Sequence, residues 1–179
     1  MNCAWLKVAL SAALLTSSFG LTGCNRDGSG TDVAAVSATE AASWMRANAH
    51  QPGVVSLPSG LQHKIVASGP ASGPRPDRND LVRVDYEGSL TNGEVFDSTF
   101  GRGLPSVMSP AEVIPAWTEA LQLMRPGDEW LLYVPPELGY GPRGSPPAIP
   151  GNSVLVFRLR LLDVAATPGN GNGIGEANG

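Results

Sequence analysis

From about residue 57 to residue 164 the chain reads as strand after strand interrupted by a single short helix, and this ratio limits its fold more than any other feature. The helix opens within residues 112–121, EVIPAWTEAL. Proline suits a first helical position because it lacks the amide hydrogen that would go unpaired there and its φ is already helical. The helix therefore starts at or beside Pro115. Trp117, Leu121 and Met124 follow at the i, i+4, i+7 spacing of one buried face, with Ala120 and Leu123 beside them. The bulkiest side chain available thus enters the first turn and points inward. Upstream, LVRVDYEGSL alternates Val82, Val84 and Tyr86 with Arg83, Asp85 and Glu87, the period-two signature of a sheet with one buried face. LQHKIVA reads as an earlier strand, Thr91-Asn92-Gly93 as a hairpin turn, and Glu94 to Asp97 as the start of the return strand. EWLLYVP and SVLVFRLRLLDV supply strands after the helix. A one-sided sheet and a one-striped helix bury their apolar surfaces most simply against each other. The expected fold class is α+β, an antiparallel curled β-sheet or half-barrel wrapped around one short α-helix.

Composition narrows the function. An apolar fraction of 42% over 179 residues supports a globular core. A formal charge of -4 with no Lys/Arg run argues against nucleic acid as a partner, because phosphate recognition needs a concentrated basic surface. The chain has only Cys3 and Cys24. Neither would remain as a free thiol in the mature domain, so disulfide, thiolate-metal and cysteine-nucleophile chemistries drop out. No cofactor and no metal are expected. The histidines, His50 and His63, read as surface residues.

The first residues read as an address. Lys7 precedes an apolar run, VALSAALLTSSFGL, that is shorter than the ~20 residues a membrane-spanning helix needs. The run leads into Leu21-Thr22-Gly23-Cys24, which resembles the bacterial lipobox, in which the cysteine is acylated and becomes the mature N-terminus. Residues 1–23 are then a lipoprotein signal peptide and Cys24 a lipid anchor to a membrane; an ordinary secretory leader is the alternative. Asn25, where aspartate commonly retains such proteins at the inner membrane, leans towards the outer membrane of a Gram-negative envelope. Residues 24–36 are polar and glycine-rich, the composition of a flexible tether. In residues 37–53, Ser37 and Glu40 form an S-x-x-E capping box ahead of a short helix that carries Trp44 and Met45 and ends at Gln51-Pro52-Gly53. A satellite helix packed on the domain is the simpler reading; a dimerisation element is the other. Residues 54–165 form the domain, and residues 166–179, rich in Gly and Asn, form an unstructured tail.

Four separated blocks, VDYEGSLTNGEVFDST, VIPAWTEALQLM, YVPPELGYGPRG and IPGNSVLVFRLRLLDV, resemble the signature blocks of FKBP-type peptidyl-prolyl cis-trans isomerases, in order and at compatible spacing. With LPSGLQHKI, the wording is most similar to the bacterial subgroup that includes the macrophage infectivity potentiators. The long N-terminal arm through which those proteins dimerise is reduced here to one short helix, so a monomer is expected.

The resemblance implies an aromatic pocket. Its positions fall on Tyr86, Phe96, Asp97, Val113, Ile114, Trp117, Tyr140, Ile149 and Phe157. Trp117 would be the floor on which a proline ring lies, with Tyr86, Phe96 and Phe157 as walls. Any one of these aromatics alone reads better as core; the set together favours a ligand cleft, apolar with few polar groups. The implied roles are orienting rather than reactive: the Ile114 amide and the Tyr140 hydroxyl donate to substrate carbonyls, and Asp97 lies by the carbonyl of the twisting bond. The substrates would be Xaa-Pro-containing polypeptides, and tacrolimus- or rapamycin-type macrolides would inhibit. Ala116 stands where glycine is common, Ser145 where some members have histidine, and Arg102 is the candidate partner of Asp97.

Overall fold

The structure, a computed structural model, describes residues 36–167. The expected leader, the anchor residue Cys24 and the tether before residue 36 lie outside the described residues, as does the expected tail from residue 168 onward.

The capping box forms as its sequence dictates. Ser37 Oγ accepts the Glu40 amide hydrogen at 3.1 Å, and the Glu40 carboxylate accepts the Ser37 amide at 2.9 Å. Helix α1, Ala38–Asn48, follows. Its Ala41 and Met45 pack on Val154, with Trp44 tilted against Tyr133 at 5.9 Å between ring centroids. Asn48 donates to the Gln62 side chain, which in turn donates to the Met45 carbonyl, both at 2.9 Å, so the helix C-terminus is fastened to the sheet as well. The helix therefore packs on its own domain. Replacing Ser37 by alanine removes one cap, worth ~1 kcal/mol. The expected result is faster amide hydrogen exchange confined to α1, with global unfolding in urea unchanged; a shifted global midpoint would mean that α1 and the sheet unfold as one unit.

The sheet is antiparallel throughout. Strands β1 (Val55–Ser56), β2 (Gln62–Ala67), β3 (Leu81–Leu90), β4 (Val95–Ser98), β5 (Ser106–Met108), β6 (Glu129–Val134) and β7 (Leu155–Ala165) assemble in the order β1-β2-β6-β7-β3-β4, and β5 also pairs with β3. In β3 the alternation seen in the sequence decides the faces: Val82 and Val84 are fully buried and Arg83 is exposed. In β7, Leu155, Phe157, Leu159 and Leu161 point to the core while Arg158 points away. Helix α3, Pro115–Leu123, lies against this inner face with Ala116, Ala120, Leu121 and Met124 fully buried. Each fully buried leucine contributes roughly 1.5–3 kcal/mol of transfer free energy. Pro115 is the first helical residue, and Ile114 before it is extended (φ -58°, ψ 149°), as steric conflict with a following proline ring requires.

On the outer face Glu129, 6% exposed, accepts from Arg158 Nε at 2.6 Å and from Arg160 Nη2 at 2.6 Å. Burial alone would raise the carboxyl pKa, but the two guanidinium partners outweigh it and hold Glu129 below the usual carboxylate range.

Three features differ from the sequence reading. The loop FGRGLPSVMS contains a one-turn helix, α2 (Thr99–Arg102), closed by Gly103 at φ 69°, and then β5. A short 3₁₀ turn precedes α3 and two more follow β6. His63 is not a surface residue: it is buried on the inner face of β2, stacked on Trp130 at 4.3 Å and 15°. A polar residue in a strand follows the strand's register, and pairing of His63 with Leu132 puts its ring on the core side. Desolvation holds its pKa below the ordinary imidazole value.

Candidate active site

The N-terminus of α3, strands β3, β4 and β7 and the segment after β6 converge on a cavity of about 470 Å³. That is within the ~300–1,000 Å³ of small-molecule sites. Tyr86, Phe96, Asp97, Val113, Ile114, Trp117, Tyr140 and Phe157 line it, which brings together all but one of the residues singled out in the sequence. Ile149 is the exception. It is 4% exposed within the core, and its backbone pairs with that of Ser145 across the loop that precedes β7. Ala116 is fully buried in the core and does not narrow the cavity.

Trp117 forms the base because the helix register turns its indole towards the sheet, where it is 4% exposed. Tyr86 stands on edge to it at 5.0 Å and 83°, and Phe157 does the same at 5.3 Å and 82°. Phe96 stands edge-on to Phe157 at 5.7 Å and 85°. Edge-to-face contacts of this kind add ≈ 0.5–1.5 kcal/mol per pair beyond burial. They also fix the rings as upright walls around the indole instead of letting them collapse onto it.

The polar side of the cavity is a short relay. The Tyr86 hydroxyl donates to Asp97 Oδ2, and the Arg102 guanidinium pairs with Asp97 Oδ1. Arg102 Nη2 also donates to the Tyr86 hydroxyl oxygen at 3.3 Å, and its guanidinium lies 5.9 Å from the Tyr86 ring centroid. Arg102 is thus the partner of Asp97. It reaches the site because α2 turns the chain back immediately after β4, which a purely extended loop of that length would not do. Burial works against the Asp97 carboxylate, and the hydrogen bonds from Tyr86 and Arg102 together overcome it, so its pKa lies below the ordinary value. Burial first, and then the hydrogen bond to Asp97, push the Tyr86 phenol up. The relay keeps one charge state, a carboxylate beside a neutral phenol, across the neutral range.

Among the described residues the Ile114 amide, the Tyr140 hydroxyl and the buried indole N–H of Trp117, donors of cavity-lining residues, have no partner. The amide is left free because Ile114 precedes the helix, whose first-turn amides have no intrahelical acceptor. Tyr140 is 42% exposed at the mouth.

Met108 and Glu112 also line the cavity and escaped the sequence reading. Glu112 abuts the Val113-Ile114 block, and its closeness in sequence was a usable signal. Met108 carried none, since it joins the wall only through pairing of β5 with β3. The described residues contain no cluster of metal-ligating side chains.

The family described as FKBP-type peptidyl-prolyl cis-trans isomerase matches residues 73–162. The chain is 46% identical over 121 residues to the outer membrane protein MIP of Legionella longbeachae, covering 68% of this chain and 51% of that protein. It is 44% identical over 127 residues to the peptidyl-prolyl cis-trans isomerase Mip of Coxiella burnetii, covering 71% and 54%. The chain thus spans about half the length of these relatives. Among solved structures, FkpA from Escherichia coli superposes with a TM-score of 0.68 at 38% identity, covering 73% of this chain and 60% of that one. A peptidyl-prolyl cis-trans isomerase from Pseudomonas syringae superposes at 0.66 and 33% identity, covering 72% and 92%. With the same fold, the aromatic cavity and a family match over half its length, the chain belongs to the FKBP-type peptidyl-prolyl cis-trans isomerases.

Proposed function

We propose that this protein accelerates rotation about Xaa-Pro bonds in polypeptides of the bacterial cell envelope, by non-covalent stabilisation of the twisted amide in its aromatic cavity. The observation that carries the reading is an open cavity above Trp117, walled by upright rings and wide enough for a proline side chain.

The chemistry needs no bond to be made or broken. Rotation about the imide breaks its resonance, with a barrier of ~18–20 kcal/mol, and uncatalysed exchange takes tens to hundreds of seconds. In the twisted state the nitrogen lone pair leaves conjugation and the amide loses charge separation. A water-poor apolar surface therefore tolerates the twisted state better than the planar one, and binding that favours the transition state is catalysis. A thousandfold acceleration asks for about 4 kcal/mol. Trp117 supports the pyrrolidine ring, while Tyr86, Phe96, Val113 and Phe157 exclude water. The Ile114 amide and the Tyr140 hydroxyl hold substrate carbonyls on either side of the bond, and Asp97, fixed by Arg102, shapes the wall beside the rotating carbonyl. Ile149 acts from behind, by holding the segment before β7 in the core.

The test is exchange of a Xaa-Pro peptide followed by protease coupling or fluorescence, across a series of residues before proline. Acceleration that tacrolimus- or rapamycin-type macrolides abolish supports the reading. Binding of the same peptides with no acceleration would leave a proline-peptide binder, chaperone-like at most. The pH dependence discriminates further. With Asp97 titrating below and Tyr86 above their ordinary values, the rate enhancement should stay flat from about pH 5 to pH 9. It falls only as the pH drops through the lowered carboxyl pKa, where the protonated Asp97 loses its hold on Arg102. A bell centred near neutrality would point to general acid-base chemistry instead.

We place the protein in the envelope on the strength of its first residues: 1–23 as signal peptide, Cys24 as lipid anchor and 24–36 as tether, with a monomeric domain from 54 to 165. Radiolabelled palmitate incorporated by the full chain and lost in Cys24→Ala supports the anchor; equal labelling of both would remove it.

A further inference from the structure

The edge of β3 opposite β7 is shared by two short strands. β5 pairs with it at Val82–Val84 and β4 at Glu87–Ser89, which leaves Asp85 and Tyr86 with no strand beside them on that edge. Both residues are half-buried, and a strand amide or carbonyl shielded from water without a partner is costly, because it loses its water without replacement. Thr99 fills the gap. It is 1% exposed, and its hydroxyl oxygen accepts the Tyr86 amide hydrogen at 2.8 Å. The same hydroxyl lies 3.2 Å from both the Tyr86 carbonyl oxygen and Asp85 Oδ1, the two acceptors for its one proton. One side chain thereby replaces both halves of a missing ladder rung. Thr99 is also the first residue of α2, and its own carbonyl accepts the Gly103 amide at 2.9 Å, closing the turn that presents Arg102.

We infer that the Thr99 hydroxyl is the positioning element for the Tyr86–Asp97–Arg102 wall, holding the backbone beneath Tyr86 and the turn that carries Arg102 in one register. It touches no substrate and acts through those three residues. The inference rests on the isomerase reading for its catalytic consequence, but its structural half can be read separately.

The experiment compares Thr99→Val, which keeps the shape and loses the hydroxyl, with Thr99→Ser, which keeps the hydroxyl. Exchange kinetics on a Xaa-Pro peptide are measured well below the melting temperature. The Asp97 carboxyl is followed by NMR titration, with Glu129 as an internal control on the opposite face. Thr99→Val is expected to lower kcat about tenfold with little change in KM, as misplacing a catalytic wall does. It should also move the Asp97 titration up towards the ordinary carboxylate value and leave Glu129 where it was. Thr99→Ser should stay close to wild type in both readings. Should the valine variant not fold, Thr99→Ala, which vacates space instead of placing a methyl against the Tyr86 carbonyl, gives the same two readings. Wild-type rate and Asp97 titration in the hydroxyl-less variant would overturn the inference, as would equal losses in the serine and valine variants. A wild-type protein that accelerates nothing would refute the isomerase reading alone, and the titration would still decide the role of Thr99.

Discussion

Trp117→Ala is expected to abolish the acceleration of Xaa-Pro exchange and to destabilise the fold by about 3–5 kcal/mol, the range for removing a large aromatic from a core. Both effects have one cause. The indole is 4% exposed, fills the space between α3 and the sheet, and is the surface on which Tyr86 and Phe157 stand. Without it the two walls lose their edge-to-face contacts and lean into the void, so the cavity loses its base and its shape together. Chemical unfolding in urea measures the stability loss, and the exchange assay measures the rate. Because a domain of this size has only ~5–15 kcal/mol of stability to lose, Trp117→Leu serves as the companion. It keeps an apolar side chain of intermediate size, folds with a smaller penalty, and still lacks the flat surface for a pyrrolidine ring. A leucine variant that is folded and catalyses like wild type would end the proposal that the indole is the platform.

Gly88→Ala is expected to be the second most damaging single change. Gly88 lies in β3 one residue from the Glu87–Ser98 pair, and a methyl built on it would meet Phe96 Cε2 at 2.6 Å and Phe157 Cε1 at 2.7 Å. Neither ring can retreat freely. Phe157 is 4% exposed and wedged against Trp117, while Phe96 stands against Phe157 and lines the cavity, so that displacing it moves a wall of the site. Overpacking of this kind costs typically 1–3 kcal/mol, and here the relaxation path fills the site. The expected outcome is a folded protein with a changed near-ultraviolet circular dichroism spectrum and at least a tenfold lower kcat/KM. Unchanged aromatic signals together with wild-type rates would show that the rings have more freedom than their packing implies.

The sequence was most informative where local physics decides. Pro115 at a helix start, the stripe through Trp117, Leu121 and Met124, the alternation through Val82, Val84 and Tyr86, and the Ser37–Glu40 box all follow from short-range periodicity and backbone chemistry, and all are present. Most of the cavity was legible because its residues sit in motifs with fixed spacing. What stayed hidden depended on register between distant segments. Met108 and the helical turn that carries Arg102 lie in a loop whose composition signals neither a helix nor a strand. Arg102 was named as the partner of Asp97 by resemblance, but the turn that delivers it, like the place of Met108, follows from α2 folding back under Gly103 and from β5 pairing with β3. His63 looked like a surface residue because histidine in an isolated strand says nothing about which face is covered.

That one helix and an antiparallel sheet share a core, and that the first turn of that helix carries an indole into it, could be read from residue order alone. Periods of 3.6 and 2 are properties of a single segment and need no partner to be read. The assembled fold alone makes the largely buried indole line an open cavity, sets Arg102 against Asp97, and brings two rings from β4 and β7 together above Gly88. Those facts depend on how strands far apart in the chain align, and an alignment between strands is set by the packing of the whole core rather than by any stretch of residues within it.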